Sequence, residues 1–239
     1  MIGNRRWRLM AGKRIVIAID GPAGAGKSTI ARRVAEKLGY VYINTGAMYR
    51  AVALWALRLG TDLTDMHRLE QLAKEARIEL PPGENRVLLN GEDVTDAVRE
   101  PQVSAAASKV SAVPGVRRAL LGLQRSIAEE NNVVMEGRDI GSVVFPNAQV
   151  KIFLDADSRE RARRRSHELQ QAGEPVNPGD VAHELRARDE RDRQRAESPL
   201  VQAPDAQLVD TTELTPDQVE EAILKIVRAR LSNGKAAGQ

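Results

Sequence analysis

Cysteine is absent from this 239-residue chain. A disulfide scaffold, thiolate metal sites and cysteine nucleophiles are therefore excluded. Histidine is scarce: His67, His167 and His183 lie far apart, without ligand-like spacing, and read as surface or helix positions. No apolar run approaches the roughly 18 residues that span a bilayer. The basic start MIGNRRWRLMAGKR has no apolar core of about seven residues or more, so no signal peptide is expected. The expected compartment is the cytoplasm, with no membrane partner. Net charge is only +3. A broad nucleic-acid surface usually carries a larger basic excess, so no nucleic-acid partner is expected.

What is present is the balance of an ordinary folded protein, with 42% apolar and 29% charged residues. The length fits one domain with a small inserted lobe. Positive charge is mostly arginine, and it clusters in RERARRR (159–165) and RARDERDRQR (186–195). Such runs are either solvated helices laced with ion pairs or arginines that grip phosphate with a planar fork. Composition alone leaves both open.

Residues 1–13 are expected to form an unstructured extension, with Met10 as an alternative start. The β-branched run IVIAI (15–19) predicts a strand buried on both faces. After a glycine-rich turn, Ile30, Val34 and Leu38 recur at helical spacing, closed by Gly39. A strand over 40–43 and a helix from Thr45 follow, which is the start of a parallel α/β sheet. From 78 to 94 the pattern changes. Asn90-Gly91 between two short apolar runs predicts a hairpin. Pro101 and Pro114 mark helix starts or breaks. Further strands are expected over 133–135, 150–154 and 207–209, ending at Glu136, Asp155 and Asp210. Thr215, Pro216 and Gln218 spell a capping box for a last helix whose Val219, Ile223, Ile226 and Val227 face the sheet. Residues 232–239 are expected to fray.

GPAGAGKS (21–28) matches G-x-x-x-x-G-K-[ST]. Four such fixed positions recur by chance in roughly 1% of chains this long. Here the match also follows a buried strand and opens an amphipathic helix, as its mechanism requires. Glycines let successive N–H groups turn inward onto phosphate oxygens, and the helix start adds partial positive charge. The loop Gly21, Pro22, Ala23, Gly24, Ala25, Gly26, Lys27, Ser28 and Thr29 is thus expected to hold ATP. Lys27 would reach the β- and γ-phosphates, Ser28 would ligate Mg²⁺, and Thr29 would bond the α-phosphate. Asp20 reads as a structural neighbour of the site. No N/T-K-x-D guanine motif is present, and a helicase or motor would be longer, so a small-molecule kinase is favoured. The competing classes are a nucleic-acid-stimulated ATPase and a kinase for a different small molecule.

GPAGAGKST, NTGAMYRA, EGRDIGSVVFP, VKIFLDA and RARDERDRQR occur in that order. Together they closely resemble the bacterial cytidylate (CMP/dCMP) kinases, over essentially residues 14–231. The resemblance implies an α/β P-loop kinase with a five-stranded parallel sheet core flanked by helices, a small antiparallel insert in the acceptor-binding region and a short lid. The single domain would be 14–231, with core segments 14–77 and 131–231, a CMP-binding insert over 78–130 and a lid over about 160–190, its tip at 173–180.

The implied reaction moves the γ-phosphoryl group of Mg·ATP to CMP or dCMP, in a monomeric enzyme. By resemblance, Thr45 lies near the acceptor and Arg50 and Arg138 hold its phosphate. Tyr49 would pack by the nucleotide, though it reads equally as a core aromatic. Asp139 would accept from the cytosine amino group, which uracil lacks. Ser108 and Arg117 would complete the base contacts, Asp192 would take the ribose hydroxyls, and Arg188 would contact the phosphate or sugar. Arg195 would support the same face. Lys27, Arg138, Asp139 and Arg188 form the expected catalytic set. The arginines at 161–165 should border the lid, without a choice among them. Asn44 stands where the family usually has Asp, which removes a charge near the site.

Overall fold

The computed structural model describes residues 14–236, with side chains through residue 232; the expected N-terminal extension lies outside the described residues. The chain runs β1 (Val16–Asp20), α1 (Lys27–Leu38), β2 (Val41–Asn44), α2 (Thr45–Arg58) and α3 (Met66–Glu75). Three short strands follow, β3 (Ile78–Glu79), β4 (Leu88–Leu89) and β5 (Glu92–Asp93), then α4 (Pro101–Val110) and α5 (Pro114–Glu130). The chain returns through β6 (Val133–Glu136), β7 (Val150–Asp155), the helical pair α6 (Ser158–Gln171) and α7 (Pro178–Gln194), β8 (Gln207–Asp210) and α8 (Pro216–Ala236).

Five strands form one sheet in the order β2-β6-β1-β7-β8, and every neighbouring pair is parallel. Central β1 sets the register: Ile17 sits opposite Val134 on β6 and Val150 on β7. Successive side chains point to opposite faces. Val16 and Ala18 join the apolar cluster under α2 to α5, while Ile17 and Ile19 join the one under α1 and α8. That double burial is why β1 reads as an unbroken apolar run up to Asp20.

The hairpin at Asn90-Gly91 forms as expected: both residues take positive φ, 53° and 87°, and β4 pairs antiparallel with β5. The segment from Ile78 shares its apolar cluster with β1 and β6. Pro101 and Pro114 each open a helix, and the Thr215/Gln218 capping box closes at 2.9 and 3.3 Å. Two local expectations are corrected. Asn177 caps α7 by accepting from the Gly179 N–H at 2.9 Å, so residues 178–180 belong to the helix and the lid-tip loop is shorter. Helix α8 continues through Ala236, into the expected frayed tail, because no proline interrupts it.

A parallel sheet puts the carboxyl ends of its strands on one edge, where open α/β sheets bind ligands. Here those ends are Asp20, Asn44, Glu136, Asp155 and Asp210. The chain leaves β1 through Gly21, at φ 145°, where an added Cβ would lie 1.9 Å from the Leu154 carbonyl oxygen. Gly21→Ala should cost more than about 3 kcal/mol, since backbone strain and a rigid clash add. Urea denaturation of the two proteins measures it.

Candidate active site

The turn between β1 and α1 wraps toward the cleft, and its wall there consists of Ala23, Gly24, Gly26, Lys27, Ser28 and Thr29. Gly21, Pro22 and Ala25 form the back of the loop; Ala25 packs into the apolar cluster under α1. Lys27 is buried, and its Nζ donates to the Pro22 carbonyl at 2.6 Å. Burial, with Arg138 nearby, holds its ammonium well below the ordinary lysine range. An arriving anion would reverse that penalty.

The loop is braced from outside. The Asp189 carboxylate of α7 accepts the Ala23 N–H at 3.3 Å, and Arg161 of α6 donates to the Ala23 carbonyl at 3.0 Å. Arg161 and Asp189 pair with each other, both buried. Ala162, Val181 and Leu185 pack on Ala23 around this pair. The arginine run is thereby sorted. Arg161 supports the phosphate loop, Arg164 donates to the Thr211 carbonyl at 2.6 Å, and Arg165 lines the cleft.

Across the cleft stand the other expected residues. The α2 N-terminus supplies Thr45, whose hydroxyl donates to the Glu136 carbonyl at 2.8 Å, and then Tyr49 and Arg50. Asn44 caps this helix, accepting from the Ala47 N–H at 3.2 Å. Arg138 and Asp139 follow β6 and precede a π-turn, Ile140–Val144. Arg138 reaches Asp192 on α7 at 3.0 Å. Arg195 lies 3.6 Å from the same carboxylate. Asp139 pairs with Arg117 of α5, whose guanidinium sits 5.3 Å over the Tyr49 ring. Tyr49 is thus both a buried aromatic and a wall of the cleft.

Ser108 lies behind the wall of the cleft. It is buried, and its hydroxyl accepts from Arg191 Nε and Nη2 at 3.2 and 3.1 Å. The α4 wall of the cleft is Ser104 and Ala107, with Ser111 just beyond. Neighbouring positions on a helix point in different directions, so a serine-bearing helix could be foreseen but not which serine faces inward. Glu136, Ser104 and Ser111 are cleft residues that sequence reasoning missed, whereas Arg165 is the member of the 161–165 run that reaches the cleft. Only Glu136 carried a local signal, as the last residue of a buried strand.

The cleft encloses about 230 Å³ and is lined by seven cationic side chains against four carboxylates. Arg50 has no carboxylate partner among the described residues, and its buried Nε has no hydrogen-bond partner. Burial lowers it, and burial with neighbouring Arg138 pushes Arg188 down to about 10. This excess suits a ligand with several negative charges. Hard oxygen donors for a magnesium ion are present as well. The Ser28 hydroxyl heads α1, and the buried Glu136 carboxylate lines the same cleft. Among the described residues no cluster of three or more acidic or histidine side chains could form a metal cage. That fits Mg²⁺, which takes one or two protein oxygens and completes its shell with phosphate and water. No described helix is long and apolar enough to cross a membrane.

Residues 17–229 match the family model described as cytidylate kinase. A cytidylate kinase from Solibacter usitatus is 61% identical over 93% of this chain and 96% of its own length. One from Symbiobacterium thermophilum is 52% identical over 90% of this chain and 97% of its own. Among solved structures, a shikimate kinase from Acinetobacter baumannii aligns with a TM-score of 0.47 at 15% identity, over 92% of this chain and 94% of that one.

Two expectations follow from the burial pattern. Asp189→Ala leaves the buried Arg161 with only the more distant and more exposed Asp155, 3.9 Å away, and should cost about 3 kcal/mol in urea denaturation. Arg163→Ala, at a side chain 71% exposed, should leave the transition unmoved. The second concerns Asp20, which burial pushes up to about 6, with Asp139 adding and the Ile140 and Gly141 N–H groups and Lys27 opposing. A carboxyl whose folded value is raised contributes stability below its unfolded value and loses it as pH rises through the folded one. Wild-type stability relative to Asp20→Asn should therefore fall between about pH 4 and about pH 7. Denaturation midpoints across that range check the sign.

Proposed function

The chain belongs to the cytidylate kinase family, and from that premise we propose how its residues carry phosphoryl transfer to CMP or dCMP. It is a nucleoside monophosphate kinase that makes the diphosphate at the expense of ATP. The donor triphosphate lies along the loop of residues 21–29, with Lys27 leaving the Pro22 carbonyl for the β- and γ-phosphates. Ser28 would hold the Mg²⁺ together with phosphate oxygens, with Glu136 facing its water ligands. Bound there, the ion neutralises charge on the transferring group.

The acceptor lies across the sheet edge. Arg50, Arg138 and Arg188 hold its phosphate, and Thr45 bounds it from the start of α2. Asp139 accepts from the cytosine amino group, a donor that uracil replaces with an acceptor. Arg117 reaches the base from the Asp139 side, over Tyr49. Ser108 joins these contacts once its hydroxyl leaves Arg191. Asp192 takes the ribose hydroxyls, and Arg195 steadies Asp192. The attacking phosphate oxygen is already anionic, so no general base is assigned. Catalysis rests on alignment and on charge, with Lys27, Arg138, Arg165 and Arg188 around the transferring group. Closure of the α6–α7 hairpin would exclude water and suppress ATP hydrolysis. The substrates are free nucleotides of the cell interior, and the enzyme acts there as a monomer.

One observation carries this reading. Lys27 on the phosphate loop and the neighbours Arg138 and Asp139 just after β6 open into the same cleft, where positive charge exceeds negative. ATP turnover should be compared with CMP, dCMP, UMP, AMP and GMP, and with DNA or RNA. CMP and dCMP should lead the panel. Equal or faster turnover of UMP would overturn the base assignment, and nucleic-acid stimulation without CMP dependence would favour an ATPase. Lys27→Ala should lower kcat by at least about a hundredfold. Full phosphoryl transfer by that variant would rule out the proposed donor site.

A further inference from the structure

Asp20 is the last residue of β1, directly before the phosphate loop, and its side chain is turned toward the acceptor loop instead. One carboxylate oxygen accepts the Ile140 N–H at 2.8 Å and the other accepts the Gly141 N–H at 2.7 Å. The residue is 5% exposed. Among the described residues it has no salt bridge, although Lys27 on α1 and Asp139 on the neighbouring turn both bear on its charge. A buried carboxylate is costly unless its charge is used in hydrogen bonds. Here both oxygens are used, on two consecutive N–H groups at the head of the π-turn. Two charge-assisted bonds to adjacent peptides fix both position and orientation, which a single bond does not.

The two residues before those peptides are Arg138 and Asp139. Their side chains meet Asp192 and Arg117 on two different helices. Side-chain pairing can adjust to small shifts of α5 and α7, so it does not by itself set where the backbone between them lies. The Asp20 fork does, and it does so from the strand that carries the phosphate loop. We propose that Asp20 is a positioning residue for acceptor recognition. It holds the Ile140 and Gly141 peptides so that Arg138 and Asp139 meet the acceptor in register with the bound donor. This rests on the acceptor roles given above to Arg138 and Asp139.

Asp20→Asn is the informative change. Asparagine keeps one acceptor oxygen but sets its NH₂ group against the second N–H, so one bond is lost and replaced by a donor-donor clash. The KM for CMP should rise about tenfold, with the KM for ATP changed less than about twofold. The ratio of kcat/KM for CMP over UMP should fall. Gly141→Ala approaches the same contact from the other side. Its Cβ would lie 3.1 Å from Lys151 Cδ and 3.4 Å from Asp20 Oδ2, so it should give the same pattern more weakly. This variant carries the test should Asp20→Asn fail to fold. A general loss of folded protein would lower kcat for both acceptors and leave their ratio alone.

Unchanged KM and selectivity for the acceptor, or a change confined to ATP, would overturn the role of Asp20. Asp139→Asn measured alongside separates the two levels. If it keeps full discrimination against UMP, the acceptor reading itself fails. If it loses discrimination while Asp20→Asn keeps it, that reading stands and the Asp20 inference falls.

Discussion

A cation removed from water must find a counter-charge, and the layout of this molecule's cleft follows from how each buried cation meets that demand. Some are paired within the protein. Arg161 has Asp189, Arg117 has Asp139, Arg138 has Asp192 and Lys151 has Asp205. Others are not: Lys27, Arg50 and Arg188 have no carboxylate within salt-bridge distance among the described residues, and burial lowers all three. The first group holds segments together. The second group is held ready at a cost that bound phosphates would remove. Partnering alone does not divide them by role: Arg161 only braces the phosphate loop, whereas Arg117 and Arg138 are paired and also line the cleft.

Helix α7 joins both halves of this arrangement. Asp189 grips the Ala23 peptide of the phosphate loop, Arg191 reaches Ser108 on α4, and Asp192 reaches Arg138 beside β6. Three contacts within about one turn of helix therefore touch the phosphate loop, α4 and the loop after β6. A displacement of α7 on ligand binding cannot leave any of the three unaffected. The Arg191–Ser108 contact ties α7 to α4 directly behind the cleft wall formed by Ser104 and Ala107.

What could be read from the sequence was what local chemistry decides. The phosphate loop, the Asn90-Gly91 turn, the proline-led helix starts and the Thr215/Gln218 box each depend on residues within a few positions of one another. The central strands β1 and β6 were legible because burial on both faces leaves a nearly continuous apolar run. The division of labour among Arg161, Arg164 and Arg165 was not. Their spacings place them on overlapping parts of one helix surface, and what each meets is set by β1, β8 and α7, all distant in the chain. Ser108 escaped for the same reason: its partner is Arg191, 83 positions away. Asp20 could be assigned a structural role by its place at a strand end, but the two peptides it holds lie 120 and 121 residues on.

Asn44 shows how such contacts reframe a departure from the family pattern. Its side-chain oxygen caps α2 through the Ala47 N–H, and asparagine and aspartate serve about equally well as helix caps. The fold therefore loses little when aspartate is replaced here. The site is another matter, because Asn44 lines the cleft beside Arg50 and the positive end of α2. A carboxylate at that position would neutralise part of the positive field around Arg50, whereas the amide leaves it intact. The replacement thus keeps the cap and leaves this side of the cleft more positive, so its consequence belongs to the electrostatics of the cleft and not to the capping of α2.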